Sequence, residues 1–263
     1  MSNFTYPSDI SKDFLIEVGL GHVEGFSFVA VIMRNPSCSG TAFTDVWGGG
    51  SNFVIPSTSK SLELVFADAN DASAGTGART ILVSTLDSNY EPQVQVVTST
   101  AATVALTGTH FRPNNFVATG CLFVITAGSA EANVGAITLQ EAGGGNIWAK
   151  ILAGSGRGDA PSKSEDGIMT VPAGVTAIGL KVIIVWPKNQ DGEVFASIKP
   201  FGAGTARISS GRFAMYQNIL DLNYQANPNS AEKTDRSFRA ISTNAGVDVT
   251  IVQEFLMIEN DKI

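Results

Sequence analysis

Residues Asp45–Pro92 read DVWGGGSNFVIPSTSKSLELVFADANDASAGTGARTILVSTLDSNYEP. Leu62, Leu64 and Phe66 alternate with other side chains, the period of a strand with one buried face. Ala67 to Ala78 follows, a reversal written in small, Asn, Asp and Gly residues. Ile81 and Val83 resume the alternation, and Leu86-Asp87-Ser88-Asn89-Tyr90 closes it. Two alternating runs around a small polar reversal predict a β-hairpin.

The rest of the chain follows the same pattern. Its 263 residues suffice for one large β-domain or two modest ones. Val, Ile, Thr, Ser and Gly dominate, which favours strands and turns over helices. Strands are expected over His22–Arg34, Gln93–Val96, Thr103–Leu106, Asn115–Thr126, Val134–Gln140, Asn146–Leu152, Val175–Trp186 and Val194–Lys199. Phe213–Leu222 reads as strand or short helix. Val247–Ile258 is a long strand whose alternation slips near Gln253, as at a β-bulge. No fixed-period repeat is visible, which argues against a propeller or solenoid. Short strands separated by Gly, Asn and Pro predict an all-β fold, a β-sandwich or jelly-roll-like architecture. Residues 1–20 read as an N-terminal arm and 21–263 as the sandwich domain. A possible internal division falls in the loop 153–167, AGSGRGDAPSKSEDG.

Charge and composition narrow the function. Charged residues make up 16% of the chain, against roughly 25% in ordinary soluble domains. A chain so poor in charge is expected to bury much of its surface or to dock against neighbours. The net charge of −7 opposes nucleic-acid binding, which needs clustered Lys and Arg. The cations Lys60, Arg79 and Arg112 stand far apart and form no basic stripe. Met1-Ser2-Asn3-Phe4 does not begin a signal peptide. Apolar runs such as Ala177–Trp186 are about half the roughly 20 residues a membrane helix needs. No membrane partner is therefore expected. Cys38 and Cys121 read as buried, reduced thiols, and spacing alone leaves open whether they pair.

The chemistry-bearing residues form no catalytic pattern. His22 and His110 lack an adjoining acid and nucleophile. Ser57-Thr58-Ser59-Lys60 has the S-x-x-K form but precedes a strand and lacks its partner motifs. Gly154-Ser155-Gly156-Arg157-Gly158 lacks the Lys and helix of a phosphate loop. Asp68, Asn70, Asp71 and Ser73 have a loose calcium-like spacing without the Gly and bidentate Glu of a calcium loop. Asx turns, in which these oxygens accept backbone N–H groups, explain them better. The acidic residues Asp159, Glu165, Asp166, Asp191 and Glu193 read as solvated loop groups. No enzyme activity, cofactor or metal is expected. Phe4, Tyr6, Trp47, Phe53 and Trp148, with Ile55, stand near Gly-rich or loop segments. They read as interface anchors or as plugs for the ends of the core.

The ordered motifs resemble a family of tailed-bacteriophage virion structural proteins, head decoration or cement proteins of the marine-phage type. Trp47 with Gly48–Gly50, Ala69-Asn70-Asp71, Ala74–Thr80 and Leu86–Glu91 resemble its "ANDxxAGTGART" and "LDxNYNE" elements. Thr126–Leu139 is similar to its "TAGSGGxNAGTIT" segment, and Met169–Ala177 to its "YTVPAGKTAYL". Pro200-Phe201-Gly202 and Glu232–Asp235 resemble its "RPFG" and "PEKTDI". These fall in order over most of residues 20–258. The chain departs at DVWGGG, where the family has a DIWDVGG-like run, and at the loop 153–167. The resemblance implies a virion location after synthesis in the host cytoplasm. It implies partners among virion proteins, the major capsid protein first. A homo-oligomer, a trimer as the working expectation, fits the low charge and the arm. A tail or fibre component that binds the host surface is the alternative.

Overall fold

A computed structural model describes residues 14–116, 120–154, 162–187, 190–202, 208–215, 219–223 and 230–263. A short helix, α1 (Phe14–Gly19), precedes β1 (Phe26–Cys38) and β2 (Thr44–Asp45). Then come β3 (Leu62–Phe66), β4 (Ala78–Leu86), β5 (Pro92–Thr98), β6 (Val104–Ala105) and β7 (Arg112–Pro113). They are followed by β8 (Leu122–Ala127), β9 (Ile137–Glu141), β10 (Ile147–Ile151) and β11 (Met169–Thr170). The chain ends with β12 (Val175–Val185), β13 (Gly192–Lys199), β14 (Ile208–Met215), β15 (Ile219–Asn223), β16 (Asp235–Ser242) and β17 (Val247–Glu259). The fold is all-β, and every ladder is antiparallel.

The strands surround two separate hydrophobic cores. One lies between the sheet β1-β17-β12-β15 and the sheet β11-β16-β13-β14. Val31 and Met33 of β1, Ile251 and Phe255 of β17, and Phe238 of β16 meet there. The pairings are nested: β1 with β17, β11 with β16, β12 with β15 and β13 with β14. That is one long ribbon, folded back at β13–β14 and rolled so that its two sheets face each other across the core, one face of each packed inward. This half is wound as a jelly roll is. The chain as a whole, with four sheets and two cores, is not one jelly roll, because residues 46–167 leave the roll between β1 and β11. They build the second sandwich, β10-β9-β3-β6 over β5-β4-β7, with β8 also on β4. Leu62, Leu64, Ile81, Val83, Leu122 and Trp148 fill it. The expected hairpin thus exists as two strands, β3 and β4, placed in opposite sheets of this sandwich.

The opening stretch owes its shape to carboxylates. Asp71 is fully buried. Its Oδ1 accepts the N–H groups of Ala78 at 2.8 Å and Val134 at 2.9 Å, and its Oδ2 accepts Gly135 N–H at 2.8 Å. Asp68 Oδ1 accepts from Asn70 N–H, and Asp87 Oδ1 from the N–H groups of Asn89 and Glu91. Asp68 and Asp87 make Asx turns, whereas Asp71 ties the reversal to the Val134–Gly135 backbone, each oxygen satisfying backbone donors. A Cβ on Gly77 would stand 2.1 Å from Asp71 Oδ1, so only glycine admits the carboxylate there.

Several local expectations are corrected. His22 lies in a turn before β1, bonded through Nδ1 to Glu17, and not in the strand. The 1–20 segment contains α1, whose Val18 packs on Leu256 and Ile258 of the chain's own β17. Residues 1–13 lie outside the described residues. Gln253 marks no slip: it points inward in phase with Ile251 and Phe255. Alternation ends beyond it because α1 covers the other face, so both faces of Phe255–Ile258 are buried. The register shift sits on β12, between Gly179 and Lys181. Asp166, expected in solvent, is 1% exposed.

Buried polar contacts join the two sandwiches. Arg112 Nε on β7 lies 3.2 Å from Asp235 Oδ1 on β16, and its Nη1 donates to Pro56 O at 2.7 Å. Thr170 Oγ1 donates to the same carboxylate at 2.7 Å. Trp47, Phe53 and Ile168 form a small core beside this junction.

Candidate assembly interface

The outer face of the β4, β5 and β8 sheet is where this chain exposes apolar side chains in a row. β5 reads Pro-Gln-Val-Gln-Val-Val-Thr, and its alternation predicts a half-buried strand. The structure supplies the strand with the opposite phase. Val94 and Val96 are 57% and 63% exposed. The Gln residues take the inward side, and Gln95 binds the backbone N–H and C=O of Thr107 through both amide atoms. Val96 pairs with Leu82, and Leu82 with Phe123, so three apolar residues cross three strands in one row. Ile125, 42% exposed, extends the row on β8. None of these outward positions is charged.

The edge of the same sheet is also open. β5 pairs with β4 alone among the described residues, so its other row of N–H and C=O groups meets no strand. Natural edge strands are usually blunted with Lys, bulges or a covering loop. Here Pro92 at the first position is the only such feature within the strand. Lys163, bridged to Phe123, ends the row at its far side; an apolar face beside an unpaired edge can bury area and add a strand from a neighbour.

The residues singled out from sequence lie elsewhere. Trp47 is 2% exposed, Phe53 5% and Trp148 fully buried. Trp47 and Phe53 meet edge to face at 5.5 Å, and Trp47 Nε1 donates to Ser51 O. Their burial makes them core plugs of this chain rather than exposed anchors, and Ile55 packs beside them. Phe4 and Tyr6 lie outside the described residues, as do residues 155–161 of the Gly-rich loop. The signal that sequence reading passed over was Gln93–Thr98. Its alternation was visible, but not which face the fold would cover.

Several titratable groups are buried. His110 is buried, and its Nδ1 bonds Thr85 Oγ1 at 2.8 Å. Burial pulls its pKa down. Cys38 and Cys121 are free and sit in different cores, and burial raises both thiols, Cys121 well above the usual range. Burial drives Asp166 up to about 7, although Cys121 N–H and Ser164 Oγ donate to its Oδ2. Glu165 is raised too, chiefly by burial and against the pull of Arg34. No group of three or more His, Cys, Asp or Glu side chains positioned for a metal occurs among the described residues. No helix of the described residues is long and apolar enough to cross a membrane.

No family model and no curated protein matches the chain. Solved structures give weak similarities. A chain of the structure of infectious bursal disease virus, Gx strain, aligns over 91% of this chain and 74% of its own at 9% identity, with a TM-score of 0.26. The VP2 subviral particle of infectious bursal disease virus aligns with 90% and 73% at 10% identity, with a TM-score of 0.22. Scores this low do not establish a shared fold.

Proposed function

We propose that this chain is a non-enzymatic virion structural protein of the head decoration or cement kind. The observation that carries the proposal is the outward apolar row Leu82, Val94, Val96, Phe123 and Ile125 beside the unpaired edge of β5. A monomer in water gains nothing from that face, whereas a protein repeated over a lattice buries it at every position. Symmetry multiplies a modest contact into strong attachment. The ordered resemblance to tailed-phage virion proteins and the 16% charge content point the same way. The partners would be the major capsid protein and further copies of this chain, with a trimer the expected unit. A tail location would use the same face with fewer copies.

The test is Val96→Lys, which places a charge at the centre of the row on an exposed site that tolerates it. The wild-type chain is expected to self-associate in sedimentation velocity and to co-sediment with assembled heads, and the variant to do neither. A wild-type chain that stays monomeric and does not bind heads refutes the proposal. Copy number in purified particles then places the chain: a number on the scale of the capsid lattice indicates the head, one on the scale of tail symmetry the tail.

A further inference from the structure

A cleft of about 460 Å³ opens where the two sandwiches meet. Its lining shares no residue with the apolar row, and nothing in the virion reading uses it. Tyr90 and Phe111 line it from the inserted sandwich, and Phe201 with Lys199 and Lys233 from the rolled one. The rings meet edge to face: Tyr90 lies 5.3 Å from Phe111 and 5.8 Å from Phe201, centroid to centroid. The cations sit over the rings. Arg112 stands 4.1 Å above Phe111, and the Lys233 ammonium lies 5.3 Å from the Phe201 centroid and 6.0 Å from that of Tyr90.

Three features mark this as more than packing. A structural aromatic cluster closes on itself, yet Phe201 remains 64% exposed. The cleft holds three cations against one carboxylate, Asp235, which is already paired to Arg112, on a chain of net charge −7. Tyr90 and Lys233 also hold left-handed backbone, with φ of 68° and 63°. Such φ values favour Gly or Asn and are unfavourable for a tyrosine or lysine. Backbone bonds fix both turns: Tyr90 O accepts from Ala173 N–H at 3.0 Å, and Lys233 N–H donates to Val171 O at 2.8 Å. Two residues far apart in sequence thus keep large side chains at strained positions and direct them to one spot. Strain of this kind collects at ligand sites.

We infer that this cleft binds an acidic saccharide, a sugar bearing carboxylate or sulfate. The exposed Phe201 ring, backed by the buried Tyr90, takes the C–H face of a pyranose, while Lys199 and Lys233 take the anion through charge-assisted hydrogen bonds. The volume and the position between two packed units are those of ligand sites generally.

The test measures binding of sialyllactose, trigalacturonate and a heparin tetrasaccharide by titration calorimetry, with lactose as the neutral control and a tetraglutamate peptide as the non-sugar anion. The wild-type chain is expected to bind at least one acidic saccharide, more tightly than lactose and the peptide, and less tightly as salt rises. Phe201→Ala, at an exposed site, and Lys233→Gly should each weaken binding roughly tenfold or more. Lys233→Gly also relieves the left-handed backbone, so its melting temperature should equal or exceed the parent's. Weaker binding by a variant at least as stable cannot come from misfolding. The inference is overturned if no acidic saccharide binds at millimolar concentration, if the peptide binds as well as the sugars, or if both variants bind undiminished.

Discussion

Asp71 is the residue on which the opening stretch turns, and removing its carboxylate should be among the most damaging single changes in the second sandwich. The side chain is fully buried and accepts three backbone N–H groups, from Ala78, Val134 and Gly135, at 2.8–2.9 Å. Hydrogen bonds to a charged acceptor contribute about 1.5–3 kcal/mol each. Three of them on one side chain are not additive, and Asp71→Ala is expected to cost about 4–6 kcal/mol. Asp71→Asn keeps one oxygen but turns an NH₂ toward Gly135 N–H or toward the Ala78 and Val134 donors, and should cost about 2–3 kcal/mol. Asp68→Ala loses only exposed Asx bonds to Asn70 and should cost about 1 kcal/mol. Urea unfolding followed by tryptophan fluorescence ranks the variants, since Trp148 sits in the same core. A second arm checks the geometry. Gly77→Ala brings a Cβ within 2.1 Å of Asp71 Oδ1, so it should be costly in the parent and much milder beside Asp71→Ala. Asp71→Ala within about 1 kcal/mol of the parent, or a Gly77→Ala cost unchanged between the two backgrounds, would refute the reasoning.

Two further outcomes follow from the buried groups. Asp166 has a folded pKa of about 7 against an ordinary value near 3.8. As pH rises, the unfolded chain therefore ionises first while the folded one keeps its proton. The group's contribution is most favourable below about pH 4, falls between about pH 4 and 7, and is flat above, a change of about 4 kcal/mol. Asp166→Asn should remove that slope from urea midpoints measured from pH 4 to 8; identical slopes in parent and variant would contradict it. Cys38 and Cys121 are fully buried with raised pKa values, so a thiol reagent should find neither in the native protein and both after denaturation. Rapid native labelling, or no labelling after denaturation without reductant, would show that the thiols are exposed or paired.

Much of the fold was legible in local pattern. Leu62, Leu64 and Phe66 announced β3 by their period, and Ile81 and Val83 announced β4, because a strand's two faces meet different surroundings. The Asx reading fits Asp68, whose carboxylate bonds the Asn70 backbone two residues on, for a similarly local reason; Asp71 instead accepts from Ala78 and, across the fold, from Val134 and Gly135, partners that no local pattern names. The burial of Asp166 was not legible. Its surroundings in sequence are polar, and it is enclosed by Cys121 and Ser164 together with the passing edge of β1. Trp47 and Phe53 looked like surface anchors because glycines flank them. Gly49 is there because the buried indole leaves it no room for a Cβ, which would lie 2.2 Å from the ring, and Gly50 because its φ is +70°.

The sequence by itself determined that this chain is all-β, where most strands run, which turns carboxylates would hold, and how little charge its surface would carry. These are short-range matters, set by period, side-chain volume and bonds spanning a few residues. Only the tertiary structure decided that β3 and β4 part into different sheets, that the strands enclose two cores, and that Val94 and Val96 face outward. Alternation separates two faces of a strand but does not say which one another sheet will cover. The same holds for the cleft: Tyr90 and Lys233 each occupy an ordinary-looking turn, and only the docking of one sandwich on the other brings the ammonium onto the rings.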